Sequence, residues 1–186
     1  MLSKKDKIVS STRWESELGE FRKGKDAFYQ TREESPIPRD QRHLFNGLKY
    51  FAPNPSLRLE TTLHKFDSPD MVTMSTSKGT EQRFHRIGYF DLNIGGWPVR
   101  IHAYKSAERE DNDVFVPFRD ATSGKESYDS ARYLDLEEKS DGNYVVDFNY
   151  AYNPYCAYSD DYICPLPPRE NWLGTGIPAG EMKYHD

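Results

Sequence analysis

The sequence predicts a mainly β protein, in which an antiparallel sheet of about eight strands carries one N-terminal helix packed on it. Three features support this class: a helix-period stretch comes first, strand-period stretches follow, and tight turns join those stretches. The sheet is expected to be curled or closed, as a β-barrel or a sandwich. With 186 residues, the chain is long enough for a single domain with a substantial core.

The one predicted helix covers residues 12–31, and residues 1–11 are expected to be a flexible N-terminus. Thr12 and Glu15 have the spacing of a capping box, which satisfies backbone N–H groups at a helix start. Apolar side chains then recur on one helical face, namely Trp14, Leu18, Phe21 and Phe28. Two prolines shortly after residue 31 prevent the helix from continuing.

The β core is predicted over residues 45–181, because the period of apolar residues changes there from helical to two. Residues 56–66 alternate most clearly, with leucines and threonine on one face and charged side chains on the other. Shorter strands are expected at 47–51 and 71–75. Each is bounded by residues that favour turns, so hairpin connections are expected.

Residues 84–104 predict a β-hairpin whose turn is Gly95-Gly96. A two-residue turn of this kind requires positive φ at both positions, which glycine adopts without a steric cost. The turn fixes the register of the flanking strands, in which three apolar pairs share a face: Ile94 with Trp97, Leu92 with Val99, and Phe90 with Ile101. On the other face the register places Asp91 opposite Arg100 and Tyr89 opposite His102.

A strand at residues 113–118 and a second hairpin complete the predicted sheet. The strands of this hairpin, 131–137 and 143–150, lie on either side of the four-residue loop Lys139-Ser-Asp-Gly142. The resulting register places Arg132 opposite Asn149 and one diagonal step from Asp147. Those three polar side chains would then lie together on an otherwise apolar hairpin.

Composition excludes several classes of function. The 25 basic and 30 acidic residues are interspersed and give a net charge of −5, so no basic surface for nucleic acid is expected. No segment approaches 18 consecutive apolar residues, and the N-terminus has no signal-peptide core, so we expect a cytoplasmic protein without membrane contact. No cofactor motif is present and no histidine spacing indicates a metal site.

The two cysteines, Cys156 and Cys164, are too few for a disulfide scaffold. No histidine lies near them to complete a zinc site. In a cytoplasmic chain, we expect two reduced thiols that lie close together without forming a bond.

Residues 143–172 contain the richest chemistry of the chain. The segment begins as a strand, leaves that geometry at Asn153-Pro154, and continues as a loop stiffened by tyrosine and proline. Long irregular segments of this kind are commonly functional. The candidate site therefore combines side chains of this segment with one arginine: Arg132, Asp147, Asn149, Tyr152, Asn153 and Glu170.

Two interpretations of this candidate site remain open. In the first, Arg132 and Asp147 form a buried structural ion pair, because a lone carboxylate on a covered hairpin would need a partner. In the second, they form the polar floor of a ligand pocket with tyrosine walls, built from Tyr150, Tyr152, Tyr155 and Tyr158.

Short motifs along most of the chain, from residue 35 to residue 181, resemble the domain of unknown function 1684 family. Many of them recur in the same order. They include Gly47-Leu-Lys-Tyr-Phe51, Phe118-Arg-Asp-Ala-Thr-Ser-Gly124, Asp147-Phe-Asn149, Ala151-Tyr-Asn-Pro154, Cys164-Pro-Leu-Pro-Pro168 and Glu170-Asn171. Because this family has no established activity, the resemblance implies a shared fold and a shared site but no particular reaction.

Three functions therefore stay open. The protein is a small-molecule binding domain in which Arg132 holds an anion or carboxylate, or a hydrolase-type enzyme with Asp147 and Glu170 as general base and acid. The third possibility is a purely structural or interaction role for the motifs. The sequence does not distinguish an enzyme from a binding protein, identify a ligand or define an oligomeric state.

Overall fold

The computed structural model describes the backbone of residues 4–108 and 113–185, and within these ranges the side chains from Thr12 onward. The chain divides into two compact units, Met1–Leu48 and Lys49–Asp186. The first unit contains one long helix, α1, at Lys4–Thr31. The second contains all seven strands of the described residues.

Helix α1 ends at Thr31 as predicted, but it begins at Lys4 and not at residue 12. The capping-box interpretation of Thr12 and Glu15 is therefore wrong, since Thr12 lies inside the helix. The residues before Thr12 include neither proline nor glycine, so nothing in them stops a helix. The flexible segment expected at 1–11 overlaps α1, and its first three residues lie outside the described part of the chain.

The buried face of α1 is formed by Trp14, Leu18 and Tyr29, all at most 7% exposed. The prediction placed Phe21 on this face, but its side chain is 44% exposed. At about 100° per residue, Tyr29 lies only about 20° around the helix from Leu18, whereas Phe21 lies about 60° away on the other side. The buried face is thus rotated from the predicted one.

After α1 the chain of the first unit folds back along the helix. Arg42 donates from Nε to the carbonyl of Ile37 at 2.9 Å and from Nη2 to that of Ser35 at 3.3 Å. Asp26 in the middle of α1 accepts the backbone N–H of Leu48 at 3.0 Å. These bonds satisfy backbone groups that no regular element uses.

The second unit consists of two antiparallel sheets. Strands β2, β3, β4, β5 and β6 form a five-stranded sheet in chain order, and β1 pairs with β7 in a separate two-stranded sheet. The strands are β1 Arg58–Thr62, β2 His64–Ser75, β3 Glu81–Ile94, β4 Trp97–Ser106, β5 Val114–Phe118, β6 Arg132–Leu136 and β7 Asn143–Asp147.

The hairpin predicted around Gly95-Gly96 is confirmed. Both glycines have positive φ, 60° and 90°, and β3 pairs with β4 in the predicted register from Tyr89 with His102 to Ile94 with Trp97. The turn and the strict alternation of apolar residues therefore define this part of the fold.

The second predicted hairpin is wrong. β6 pairs with β5, so that Arg132 lies opposite Phe118, whereas β7 pairs with β1, so that Asp147 lies opposite Arg58. Alternation identified both segments as strands but does not name a strand's partner. All five residues of β5 are buried, and such a strand favours an apolar neighbour like β6 over an edge position.

The main core takes buried side chains from both sheets. Phe90, Val116 and Leu134 come from the five-stranded sheet and Val146 comes from β7, and the C-terminal residues Leu173, Ile177 and Ala179 join them. A second cluster consists of side chains on the opposite face of the five-stranded sheet, including Phe84, Phe115 and Tyr133. The sheet is thus apolar on both faces around β5.

The predicted fold class is confirmed in its coarse form: a mainly β chain with one N-terminal helix and antiparallel sheets. The described strands number seven, because residues 47–51 make only an isolated bridge, Tyr50 with Glu181. They form no closed barrel, and a sandwich arrangement stays a prediction. Within the described residues, no helix has the length and apolar character to cross a membrane.

Candidate functional site

The segment after residue 164 is tied to the five-stranded sheet by the side-chain amide of Asn171. β4 and β5 are paired at a single described position, so nearby backbone groups need other partners. Asn171 Oδ1 accepts the N–H of His102 at 2.7 Å, and Nδ2 donates to the carbonyls of His102 and Pro117 at 2.9 and 2.7 Å. This fully buried amide thereby replaces a strand residue and positions its neighbour, Glu170, beside β4.

Four polar side chains then form the Glu170 cluster: Arg86 from β3, His102 and Tyr104 from β4, and Glu170 from the 3₁₀ turn Arg169–Asn171. The Tyr104 hydroxyl donates to Glu170 Oε1 at 2.9 Å, and Arg86 Nη1 approaches the same oxygen at 3.4 Å. Both contacts are made to Oε1, so Oε2 accepts no hydrogen bond from Tyr104 or Arg86. The Glu170 side chain is 31% exposed, so its carboxylate is held in place and still reaches solvent.

Two buried nitrogens of the cluster have no hydrogen-bond partner among the described residues. They are Nε of Arg86 and Nδ1 of His102. An unsatisfied buried polar atom costs about 1–3 kcal/mol, and such atoms are uncommon in folded proteins. A buried nitrogen without a partner among the described residues also occurs on Arg132 of β6, so what distinguishes this position is the combination of such atoms with a carboxylate that still reaches solvent.

The electrostatics of the cluster shift the titration of its members. Burial alone would raise the pKa of Glu170, but its backbone N–H, the Tyr104 hydroxyl and the charges of its neighbours hold that pKa below the ordinary value. Burial lowers the pKa of His102, although Glu170 opposes this shift. Burial raises the pKa of Tyr104, and the adjacent carboxylate raises it further. Near pH 7 the cluster therefore holds an ionised carboxylate, a neutral imidazole and a neutral phenol.

Two aromatic rings lie beside the Glu170 cluster. The ring of Phe66 from β2 lies 6.4 Å from His102 and 5.8 Å from the guanidinium carbon of Arg86, and Tyr89 lies 5.9 Å from His102. Polar groups beside a partly exposed aromatic surface are the usual composition of a small-molecule site.

Arg132 lies elsewhere, in a buried network that holds the C-terminal segment. It is 1% exposed, and Nη2 donates to Asp120 Oδ2 at 2.6 Å and to the Ile177 carbonyl at 2.8 Å. Nη1 donates to the carbonyl of Ala179. The predicted contact with Asp147 is therefore wrong: the ion-pair partner is Asp120, because β6 pairs with β5 and not with β7.

Asp147 and Asn149 lie together, as predicted, but with other partners. Asp147 Oδ1 accepts both the backbone N–H and the side-chain Nδ2 of Asn149, and Oδ2 lies 3.3 Å from Arg58 Nε. Asn149 also accepts the N–H of Asn54 and donates to its carbonyl. These bonds fasten the segment before β1 to the end of β7.

Tyr152 and Asn153 take part in two further arrangements. Tyr152 bridges Tyr133 of β6 through the backbone, and its hydroxyl donates to Asp135. Asn153 donates its N–H to Glu181 Oε2 at 2.8 Å, and Glu181 in turn contributes a carbonyl 3.4 Å from Arg132. Arg132 and Asn153 are thus linked through Glu181, whereas the carboxylate of Glu170 accepts from residues of β3 and β4.

The tyrosines expected to wall a pocket have separate surroundings. Tyr158 donates to Glu181, and Tyr155 packs edge-to-face on Tyr162 with ring centroids 5.1 Å apart. No described group of three or more histidine, cysteine or acidic side chains is arranged to hold a metal ion.

Four residues of these two sites were not predicted from the sequence: Arg86, His102, Tyr104 and Asp120. The hairpin register did place Tyr89 opposite His102, but it could not show that Glu170 returns to that face from a distant turn. Asp120 belongs to the family motif at residues 118–124, where its Oδ1 accepts the backbone N–H of Thr122. Its second role, as the partner of Arg132, depends on tertiary contacts.

Fold and site together define a mainly β protein with a partly exposed polar cluster and a buried ionic network. The model of the family described as a protein of unknown function (DUF1684) matches residues 43–182. This match covers most of the chain, and the chain belongs to that family.

A solved relative supports the same fold. The solution NMR structure of an uncharacterized protein of Haloarcula marismortui is 41% identical, with a TM-score of 0.71, and the match covers 94% of this chain and 96% of that one. Comparison with curated proteins gives no match.

Proposed function

We propose that the protein binds a small polar molecule at the Glu170 cluster. The observation that carries the proposal is the convergence of Arg86, His102 and Tyr104 on one partly exposed carboxylate. The two buried nitrogens without partners support it, because a bound polar group could satisfy such atoms.

The charges favour a ligand that brings hydrogen-bond donors. Asp70 of β2 also pairs with Arg86, with its Oδ2 2.8 Å from Arg86 Nη2. Glu170 and Asp70 therefore carry two negative charges against the one positive charge of Arg86, and His102 is neutral near pH 7. The local balance is therefore 1 − 2 = −1. An ionised carboxylate only accepts hydrogen bonds, so Glu170 Oε2 suits a hydroxyl or an amine. Phe66 would contact the apolar part of such a molecule.

The anion-binding role expected for Arg132 has less support than this site. Both of its terminal nitrogens already donate to Asp120 or to backbone carbonyls, and its side chain is 1% exposed. An incoming anion would have to replace partners that are buried with it.

The proposal is tested by a thermal-shift screen with small alcohols, polyols, amines and carboxylic acids. A ligand at 100 times its Kd stabilises the native state by about 2.7 kcal/mol, so binding raises the melting temperature. We expect stabilisation by compounds with hydroxyl or amine groups, and we expect Glu170→Gln to abolish it, because the new NH₂ group would face the ligand's donor.

Glu60→Gln is the matched control for this experiment. Glu60 is an exposed carboxylate on β1 that pairs with Lys139, at 2.6 Å, and so carries the same substitution on the two-stranded sheet. It should respond to the hits as wild type does. Hits that stabilise Glu170→Gln as strongly as wild type would place the binding site elsewhere.

A second candidate function is acid–base catalysis by the same cluster. The lowered pKa of His102 leaves a neutral imidazole able to accept a proton, beside Glu170. This pair is better supported than Asp147 with Glu170, since Asp147 is held by Arg58 and Asn149. A panel of activated esters and glycosides tests it, with loss of any turnover in both His102→Asn and Glu170→Gln as the expected result.

A further inference from the structure

Cys156 and Cys164 lie side by side in the loop that follows β7, and both are free thiols. The backbone N–H of Cys156, on the 3₁₀ turn Tyr155–Ala157, donates to Cys164 Sγ at 3.3 Å. The two thiol groups are also close enough to share a hydrogen bond. The two cysteines lie close together with no disulfide between them, and the expectation that they are reduced thiols in the cell stays a prediction.

The two thiols differ in solvent exposure and in how firmly hydrogen bonds hold the backbone around them. Cys156 is partly exposed, whereas Cys164 is 7% exposed. The backbone around Cys164 is fastened to the turn after β2, since its N–H donates to Ser77 Oγ at 3.2 Å and its carbonyl accepts the Ser77 N–H at 2.9 Å. An external reagent therefore reaches Cys156 more readily than Cys164.

We propose that Cys156 and Cys164 form a reactive dithiol that exchanges with low-molecular-weight disulfides, with Cys156 as the attacking thiol and Cys164 as the resolving thiol. This dithiol is a modification site in the loop that follows β7. It shares no residue with the Glu170 cluster and is independent of the ligand site proposed there.

The exchange balances as two displacements. The Cys156 thiolate attacks one sulfur of a disulfide RSSR, forming a mixed disulfide and releasing RS⁻. Cys164 then loses its proton and attacks the Cys156 sulfur, which forms the Cys156–Cys164 bond and releases a second RS⁻. Two cysteine thiols are oxidised, one external disulfide is reduced, and the two protons lost end on two RSH molecules.

Local hydrogen bonds favour this order of attack. Donation by the Cys164 thiol lowers the pKa of Cys156 to about 6, and the nearby hydroxyl of Tyr128, 3.9 Å from Cys156 Sγ, acts in the same direction. The same thiol–thiol hydrogen bond raises the pKa of Cys164, and burial adds to this. Once Cys156 is bound in a mixed disulfide, its sulfur no longer carries the negative charge that the Cys164 thiol donates to. The thiol–thiol hydrogen bond then no longer raises the pKa of Cys164, so Cys164 becomes easier to deprotonate for the second step.

The experiment treats the full chain with bis(2-hydroxyethyl) disulfide at neutral pH and follows the acid-quenched products by mass spectrometry. Wild type should end as the intramolecular disulfide, recognised by the loss of two hydrogens and no adduct. Cys164→Ser should stop at one adduct on Cys156, and Cys156→Ser should react at least tenfold more slowly. A wild-type product that stays at the adduct, or faster reaction at Cys164, would overturn the proposal.

Alkylation by iodoacetamide gives a second readout that does not depend on the disulfide. The rate at Cys156 should reach half its maximum near pH 6 in wild type and at a higher pH in Cys164→Ala, which lacks the donating thiol. The denatured chain provides the matched control, because both cysteines should then titrate near the ordinary value of about 8.5. An identical pH profile in the native and denatured chain would contradict the assignment.

Discussion

Arg132 illustrates how a polar residue can stabilise the fold when its chemistry first suggests a ligand. Its guanidinium donates to four acceptors, which are the carboxylate of Asp120 and the carbonyls of Ile177, Ala179 and Glu181. The planar fork of an arginine side chain suits several fixed acceptors at once, which the single ammonium of lysine does not. Arg132 therefore joins β6 to the C-terminal segment.

Replacing Arg132 by alanine should lower the free energy of unfolding by about 3–5 kcal/mol, because it leaves Asp120 buried without its counter-charge. Arg100→Ala is the control, since the Arg100–Asp91 pair is about half exposed and should contribute little to stability. Urea denaturation of both variants measures the difference. Similar losses in the two variants would mean that the Arg132 network does not support the fold.

The titration of His102 provides a test of the Glu170 cluster. Because burial lowers the folded-state pKa of His102, the unfolded chain binds a proton more readily below about pH 6.5. This histidine therefore makes stability fall as the pH drops below that value, until the folded-state pKa is passed. Glu170→Gln removes the charge that opposes the shift, so the pKa of His102 should fall further.

NMR titration of the His102 ring signals measures both effects directly. A pKa at or above the ordinary value in wild type would contradict the buried environment. No change on Glu170→Gln would show that the carboxylate and the imidazole are not coupled.

At the scale of elements, Asn171 takes the place of a strand residue between β4 and β5. Asn171→Asp keeps the shape but loses both N–H donors, leaving the carbonyls of His102 and Pro117 unsatisfied. We expect a loss of about 2–5 kcal/mol from two unsatisfied buried acceptors and a buried charge. Chemical denaturation measures it, and an unchanged stability would contradict the role assigned to this amide.

Gly180 holds the C-terminal segment against the 3₁₀ turn Phe148–Tyr150. Its φ is +77°, and a Cβ there would lie 2.5 Å from the Ala151 carbonyl oxygen and 2.7 Å from that of Phe148. Gly79 is a matched control, because its φ is +73° and a Cβ there would meet nothing within 4 Å. Gly180→Ala should cost about 1–3 kcal/mol more than Gly79→Ala, as measured by denaturation. Equal costs would mean that only the backbone conformation matters.

The two hairpins predicted from the sequence had opposite outcomes. Around Gly95-Gly96 the turn and alternation were local signals, so the register of β3 and β4 followed from them. For β6 and β7 the same alternation identified strands, but the choice of partner depended on β5 and β1, and β1 lies far away in the chain. The predicted site inherited this error, since it relied on Arg132 and Asp147 sharing a hairpin.

The separation of two residues along the chain also decided which contacts between side chains could be predicted. Asp147 and Asn149 are two positions apart, and their contact was predicted correctly because it is local. Glu170 was named as a site residue, but its partners Arg86 and Tyr104 come from strands 84 and 66 residues earlier. No periodicity in the sequence indicates a contact of that separation.

At the scale of the whole molecule, the polar residues of the second unit separate into two groups with different roles. One group, around Arg132, Asp120 and Asn149, is buried and bonded within the chain. The other is the Glu170 cluster, whose carboxylate is partly exposed. Buried nitrogens without partners among the described residues occur in both groups, on Arg86 and His102 and on Arg132, so exposure is the property that separates them. We therefore assign stability to the first group and propose ligand binding for the second.

The most direct test of this division is a fragment screen followed by backbone amide chemical shifts in the ¹⁵N-labelled protein. We expect that hydroxyl- or amine-bearing fragments shift signals of residues 86, 102, 104 and 170 and leave those of 120, 132 and 149 in place. Shifts concentrated around Arg132 and Asn149, with the Glu170 cluster unaffected, would contradict the assignment.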